Sequence, residues 1–214
     1  MSDIQAESLL ERPADGADDN AKRRQIVHGA RKVFLSRGFD AASMGDIAKE
    51  AGVSKGTLYV YFKDKEALFV AIVEQECCTH AESTFSLDPA DRDVAAVLNR
   101  TGAEFVRFLC SPGKADSLRI VIAIAERMPE IGRTFYETGP KTGIRKLAAY
   151  LKAQTEAGLL KVDDYEVAAS QFLDSCQSML FKPVLFNFEP PPSDERVAYV
   201  VGIAVRTFMA AYRA

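Results

Sequence analysis

The stretch Ser43–Lys65, SMGDIAKEAGVSKGTLYVYFKDK, decides the fold. Ser43 is a favoured N-cap residue, and it precedes a short segment whose apolar position Ile47 marks a buried helix face. Gly52 permits the positive backbone angle of a tight turn, and Ser54 is an N-cap for a second short helix. Two short helices joined by such a turn are typical of the helix-turn-helix, in which the second helix enters the major groove of DNA.

Helices are predicted on both sides of this stretch as well. Apolar residues at helical spacing predict a first helix that stops at Gly38, and Asp64 is a candidate N-cap for a longer helix. The segment Ile120–Ile124 has enough β-branched residues for a buried strand, but its helical neighbours favour a helix. We therefore expect an all-α protein. The predicted spans are roughly 22–37, 44–51, 91–110, 117–127, 140–157, 164–181 and 193–212.

Composition places the chain among globular proteins. Its 214 residues are 48% hydrophobic and carry a net charge of −3, so the chain is long enough to bury a core without disulfide or metal staples. It has no run of 18 apolar residues and no basic, apolar leader at its N-terminus. We therefore expect a cytoplasmic protein with no membrane partner.

Charge is distributed unevenly along the chain. Residues 1–19 carry a net charge of −5 and are predicted to be a disordered acidic tail, whereas residues 20–65 carry +6. The remaining residues carry −4, so a compact basic module precedes a larger acidic one. This asymmetry favours a head that binds a polyanion, although a solvated basic surface explains the charge equally well.

The basic module contains a series of positions that match a known pattern: Arg23-x-x-Ile26, Gly38-Phe39 and Ile47-Ala48-x-x-Ala51-Gly52-Val53-Ser54-x-Gly56-Thr57-Leu58-Tyr59-x-Tyr61-Phe62-x-x-Lys65-x-x-Leu68. With these residues the module resembles the DNA-binding domain of the TetR family of bacterial transcriptional regulators. The resemblance implies an N-terminal three-helix helix-turn-helix domain at 20–80, followed by a larger helical domain at 81–214 for effector binding and dimerisation. The segment 126–136 is similar to the corresponding region of AefR-like or AcrR-like members.

The resemblance also implies which side chains contact DNA. Lys55 and Thr57 would face the major groove, where lysine donates to guanine and threonine touches a thymine methyl group or a phosphate. Tyr59 and Tyr61 would place hydroxyl groups on phosphates. Lys65 would add charge beside free backbone amides in the first turn of its helix.

Three further polar residues have capping as an alternative role. Ser43 is expected to contact a phosphate as well as to cap a helix, whereas capping alone is preferred for Ser54 and Asp64. Gly45 departs from relatives that place a base-reading side chain at this position. Direct readout would then depend more on Lys55, Thr57 and Lys49.

The body is expected to dimerise and to bind a small molecule. Apolar stripes on the last two long helices fit a four-helix bundle across a two-fold axis or, alternatively, a core within one chain. Aromatic residues of the body fit a cavity for a hydrophobic effector, although core packing explains them as well, and Glu126 fits the surface equally. The candidate cavity residues are Glu126, Phe135, Tyr136, Phe172 and Phe181.

Other chemistry has little support in the sequence. Cys77, Cys78 and His80 are the best candidate metal ligands, but adjacent cysteines are poor joint ligands and no second pair has suitable spacing. We expect no metal, no cofactor and no enzymatic activity. The sequence predicts a dimeric repressor that leaves a pseudo-palindromic operator when an unidentified small-molecule effector binds. The alternative is an all-helical protein- or RNA-binding module without operator specificity.

Overall fold

The structure, a computed structural model, describes the backbone of residues 15–214 and the side chains of residues 19–75 and 84–214. The predicted acidic tail falls on residues 1–14, which lie outside the described residues, and on residues 15–19. Helix α1 (Asp15–Ala41) begins at Asp15, within the segment that the sequence analysis assigned to the tail. Acidic residues are compatible with this start, because negative charge interacts favourably with the N-terminal end of a helix dipole.

All regular elements of the described chain are α-helices, which confirms the predicted fold class. A boundary between two compact units falls after Phe69. The first unit contains α1 and the helices α2 (Met44–Ala51) and α3 (Lys55–Tyr61), and it includes the start of α4 (Lys65–Thr84). The remaining helices are α5 (Val94–Leu109), α6 (Lys114–Ala125), α7 (Pro129–Thr138), α8 (Pro140–Glu156), α9 (Tyr165–Cys176), α10 (Phe181–Leu185) and α11 (Asp194–Tyr212).

The first unit is built on close packing of α1 against α2. Gly29 of α1 lies so near α2 that a Cβ atom added there would be 2.7 Å from the Cα atom of Ala51. One turn earlier, the side-chain amide of Gln25 donates a hydrogen bond of 2.7 Å to the carbonyl of Ala51. The apolar residues between the two helices are buried, as their spacing predicted: Ile26, Ala30, Val33, Phe34, Ile47 and Ala48.

A cluster of three aromatic rings joins the end of α1 to the start of α4. Gly38 has φ 78° and ψ 170°, so the helical backbone is interrupted where the sequence predicted a stop. The ring of Phe39, which follows this break, lies 5.5 Å from Phe34 and 5.4 Å from Phe69 between centroids. Phe34 and Phe69 meet edge to face at 5.2 Å, an arrangement that the ring quadrupoles favour.

The core of the second unit lies among α5, α8, α9 and α11. Gly102 on α5 allows a close approach: a Cβ atom there would be 2.8 Å from Sγ of Cys176 and 2.9 Å from a methyl group of Val201. Burial raises the pKa of the Cys176 thiol to about 12. The thiol therefore stays protonated at neutral pH and packs as a small apolar group.

The apolar stripes of α9 and α11 face the interior of their own chain. The rings of Phe172 and Phe208 meet edge to face, 5.6 Å between centroids, and join the two helices. The alternative of an intramolecular core is thus confirmed for the buried members of the stripes, whereas Val167 and Met179 are exposed. The buried members are Ala168, Phe172, Cys176, Leu180, Val197, Val201, Ala204, Val205 and Phe208.

The structure corrects two predictions in the second unit. No helix was predicted between the spans 117–127 and 140–157, but α7 lies there and begins at Pro129. Proline suits this position because the first helical N–H has no partner within the helix. The predicted helix 164–181 ends early, at Cys176, and Met179 has a left-handed φ of 59° before α10 begins.

The cysteines lie in α4, just after α5 and at the end of α9. Cys77, Cys78 and His80 belong to α4, but their side chains lie outside the described ones. Cys110 and Cys176 are free thiols and are buried. Among the described residues, no cluster of three His, Cys, Asp or Glu side chains is placed to hold a metal ion. In that same part of the chain, no helix combines the length and apolar character needed to cross a membrane.

The α1–α2 contact predicts the effect of one substitution. Gly29→Ala should lower the free energy of unfolding by about 1–3 kcal/mol, because its methyl group would overlap the backbone of Ala51. Urea unfolding of the full chain, followed by circular dichroism, measures this change. Gly56→Ala is the matched control, since a Cβ there meets only Ser54 Oγ, at 3.7 Å. Equal stability of the two variants would contradict the prediction.

Candidate nucleic-acid interface

The two helices α2 and α3 are set by local capping. Ser43 caps α2 and Ser54 caps α3, each through a serine oxygen that accepts a backbone N–H three residues later. Gly52 ends α2 in the left-handed conformation, with φ 66° and ψ 36°, which a residue with a side chain adopts less easily. Asp64 caps α4 through a 2.7 Å bond from the amide of Ala67. The predicted capping roles of these three polar residues are therefore confirmed.

The N-terminus of α2 carries a small charged network. The hydroxyl of Ser43 accepts the Asp46 amide at 3.1 Å and donates to the Asp46 carboxylate at 2.6 Å. Arg37 of α1 pairs with the same carboxylate at 3.0 Å. The Ser43 hydrogen bond and then the Arg37 charge hold the pKa of Asp46 below its usual value. Asp46 therefore stays negative at neutral pH and holds the Ser43 hydroxyl close to the helix end.

Helix α3 has one buried face and one exposed face. Leu58 is fully buried and Phe62, just after the helix, is 5% exposed, so both belong to the core. Lys55 lies exposed in the first turn, and Tyr59 is 53% exposed. Thr57 is half-buried, and its hydroxyl lies 2.8 Å from that of Ser54. The exposed face of α3 thus carries Lys55 and Tyr59 together, with Thr57 beside the N-cap.

The sequence analysis missed a further residue on this face. Val60 is 80% exposed, although an apolar side chain gains nothing from contact with water. The sequence could have indicated this exposure, because Val60 follows the buried Leu58 by two residues and so lies on the side of the helix opposite Leu58. An exposed methyl-bearing side chain on this helix is suited to contact a thymine methyl group.

Tyr61 has a partner that the sequence did not indicate. Its hydroxyl donates a hydrogen bond of 2.6 Å to the carboxylate of Asp19, near the start of α1 and 42 residues away. The predicted phosphate-binding hydroxyl therefore lies beside a negative charge in this structure. A phosphate at the same hydroxyl would compete with Asp19 and be repelled by it.

Lys65 has a structural role that the sequence analysis did not foresee. Its ammonium group donates to the carbonyls of Phe39 at 3.0 Å, Asp40 at 3.1 Å and Ala42 at 3.3 Å. It also lies 4.7 Å from the centre of the Phe39 ring, a favourable cation–π distance. These contacts tie the C-terminal end of α1 to the start of α4. A phosphate contact by Lys65 stays a prediction.

The predicted cavity residues are placed in different surroundings. Phe172 and Phe181 are buried in the core, and Phe135 is half-buried. Glu126 and Tyr136 are exposed, with 55% of Tyr136 open to solvent. The five residues thus range from the core to the surface, and their role in effector binding stays a prediction.

Two surface cavities are lined by other residues. One of about 420 Å³ lies between the loop before α5 and the end of α8, and one of about 510 Å³ lies between α1 and α2. The second has charged walls and suits a polar occupant better than a hydrophobic one. Their lining residues are Pro89, Ala90, Arg92, Ala153, Glu156 and Ala157 in the first, and Lys32, Val33, Ser36, Arg37, Asp46, Lys49 and Glu50 in the second.

The first unit therefore has the geometry of a helix-turn-helix, the motif of many transcription regulators. Residues 26–72 match the family model of bacterial regulatory proteins of the tetR family. Residues 96–214, more than half of the chain, match the C-terminal domain of AefR-like transcriptional repressors. The chain belongs to the TetR family of transcriptional regulators, with an AefR-like C-terminal domain.

Individual relatives agree with this assignment. The HTH-type transcriptional repressor Rv1474c of Mycobacterium tuberculosis is 30% identical over 122 residues, which are 55% of this chain and 58% of that protein. The chain thus spans less than two thirds of the length of that relative. A TetR-family regulator of Mesorhizobium loti has a similar structure, with 28% identity and a TM-score of 0.85. The flavonoid-responsive regulator FrrA is 30% identical with a TM-score of 0.79; each alignment covers 91% of this chain and 98% of the other.

The contacts of Lys65 predict a loss of stability on substitution. Lys65→Met keeps an apolar stem near Phe39 but removes the donor to three carbonyls, so the free energy of unfolding should fall by about 1–3 kcal/mol. Urea unfolding measures the change. Lys63→Met is the control, because Lys63 is exposed and its pair with Asp64 is a surface contact. A loss no larger than that of the control would show that Lys65 does not stabilise the fold.

Proposed function

We propose that the protein is a dimeric, sequence-specific DNA-binding repressor that leaves its operator when a small hydrophobic effector binds. The observation that carries this proposal is the exposed face of α3, where Lys55, Tyr59 and Val60 project from a helix held by α2 and the Gly52 turn. A helix presented in this way fits the major groove of duplex DNA. Membership of the TetR family supports the same function.

The exposed groups of the first unit divide into base-reading and phosphate-binding contacts. Lys55 is long enough to donate to guanine O6 and N7, and Thr57 lies beside it in the first turn of α3. Tyr59, Tyr61 and Ser43 supply hydroxyl groups for phosphates, which fix register but carry no sequence information. This division assigns specificity to the start of α3 and general affinity to the surrounding hydroxyls.

We propose that a second copy of the chain covers exposed apolar surface of the second unit. Six large apolar side chains around α9, α10 and α11 are open to solvent in the single chain, an unusual concentration for a monomer. A two-fold dimer through this surface would present two α3 helices to half-sites spaced about 34–36 Å apart, or one turn of DNA. The exposed residues are Val167, Met179, Phe186, Phe188, Tyr199 and Ile203.

Release by an effector requires two conformations with different affinities for DNA. An effector that binds the DNA-incompetent conformation more tightly shifts the equilibrium, and DNA must weaken effector binding by the same factor. The name of FrrA states that it responds to flavonoids, and we propose a hydrophobic small molecule as the effector class here as well. Three of the predicted cavity residues are accessible to such a molecule: Phe135 is half-buried, and Glu126 and Tyr136 are exposed.

Fluorescence anisotropy with labelled duplexes tests the proposal. Duplexes that tile the region upstream of the protein's own coding sequence are compared with scrambled duplexes at several salt concentrations. Saturable binding to one pseudo-palindromic segment, well above the scrambled control and steeply salt-dependent, is the expected result. No binding to any duplex at low salt would reject the proposal and favour a protein- or RNA-binding module.

Substitutions on α3 separate the two kinds of contact. Lys55→Ala should weaken operator binding by about tenfold or more and reduce the preference over scrambled DNA. Tyr59→Phe, which removes only the hydroxyl, should weaken binding to the operator and to scrambled DNA equally. Lys152→Ala removes the same charge from an exposed position on α8 and is the control. If Lys55→Ala lowers the affinity for the operator and for scrambled DNA equally, the base-reading role of Lys55 is contradicted.

The Asp19–Tyr61 contact predicts a gain of DNA affinity. Asp19→Asn removes the negative charge beside the Tyr61 hydroxyl, so binding to all duplexes should tighten by about two- to fivefold. Asp163→Asn, at an exposed position in the second unit, controls for the change in net charge. In a Tyr61→Phe background, Asp19→Asn should give a smaller gain in DNA affinity, because residue 61 then has no hydroxyl for which Asp19 and a phosphate could compete. An unchanged or lower affinity of Asp19→Asn would show that Asp19 does not oppose DNA binding.

A further inference from the structure

The space above Gly45 is occupied by the side chain of Lys55. A Cβ atom added to Gly45 would lie 3.1 Å from Cε and 3.3 Å from Nζ of Lys55. Both distances are shorter than the 3.5–4.0 Å of favourable carbon contacts. The lysine that begins α3 therefore reaches back across the first turn of α2, and it does so where α2 has no side chain.

Helix geometry does not by itself require a glycine at this position. The backbone of Gly45 is outside the left-handed region, and alanine is a better helix former than glycine. The next nearest atom is Ser43 Oγ, at 3.6 Å, which is an ordinary contact. The feature that a side chain at residue 45 would disturb is thus the conformation of Lys55.

We propose that Gly45 is a specificity-determining residue, because its missing side chain lets Lys55 lie against α2 and thereby sets where the ammonium group meets the bases. This inference rests on the proposed function. A hydrogen bond to guanine tolerates a donor–acceptor distance only up to about 3.2 Å, so a displaced ammonium group selects a different base or none. Gly45 acts through Lys55 and is a positioning residue without a base contact of its own.

The effect of a methyl group at Gly45 on folding should be small. The atoms that it would meet are the flexible end of Lys55, which can move aside, and not the backbone. Gly45→Ala should therefore keep the thermal midpoint of the wild-type protein or raise it, in contrast to Gly29→Ala. A normal circular dichroism spectrum and midpoint establish that any change in DNA preference is not a folding defect.

Selection from a randomised duplex library, with sequencing of the bound fraction, tests the inference without a known operator. The wild type should enrich a two-fold motif, and Gly45→Ala should change the preference at the base pair that Lys55→Ala also affects, by about tenfold. The remaining positions of the motif should be unchanged. Lys152→Ala, the charge control, should enrich the wild-type motif.

The double variant Gly45→Ala/Lys55→Ala distinguishes an effect through Lys55 from a direct contact. If Gly45 acts through Lys55, the double variant should have the preference of Lys55→Ala alone, since the group to be positioned is absent. A change of preference by Gly45→Ala that persists without Lys55 would overturn the inference and assign the effect to residue 45 itself.

Carbon-13 NMR of the free protein gives a readout that does not depend on DNA. The Cε resonance of Lys55, assigned by its loss in Lys55→Ala, should move in Gly45→Ala, and an unmoved resonance would overturn the inference.

The library selection distinguishes failure of the inference from failure of the proposed function. If Gly45→Ala enriches the same motif as the wild type, the inference is overturned and the proposed function stands. A wild type that enriches no motif overturns the proposed function, and the inference with it, whatever the NMR result.

Discussion

The close approach of α1 to α2 at Gly29 and Ala51 is the contact on which the first unit depends. The backbones can meet there only because position 29 has no side chain. Gln25 adds a hydrogen bond to the last carbonyl of α2, beside the Gly52 turn. The turn sets the position of α3. The contact between α1 and α2 therefore also determines how the exposed face of α3 is oriented.

Local signals explain why the sequence predicted this motif well. Ser43, Ser54 and Asp64 each act on an amide three residues later, so their roles can be inferred from a few neighbouring residues. The contacts of Lys65 and Tyr61 join residues 23 to 42 positions apart along the chain. No local pattern indicates such partners, and the sequence analysis therefore assigned both side chains to phosphates alone.

Periodicity predicted the longer helices of the second unit, α5, α6, α8, α9 and α11, but it could not decide how their faces are used. The stripes of α9 and α11 have the same spacing whether they meet within one chain or between two, and the structure buries most of them within one. The role of the predicted cavity residues stays a prediction for a related reason. An aromatic residue such as Phe172 or Tyr136 has the same sequence signature in a core and at a surface.

The packing around Gly102 has a chemical consequence. Cys110 and Cys176 lie within the core of the second unit, and burial raises the pKa of both thiols. Thiolate is the species that reacts with alkylating agents and oxidants, so both positions are inert while the surrounding helices stay packed. The rate of modification at Cys176 therefore reports how often α5, α9 and α11 separate. The buried sulfur is thus a chemical probe of local opening of the bundle.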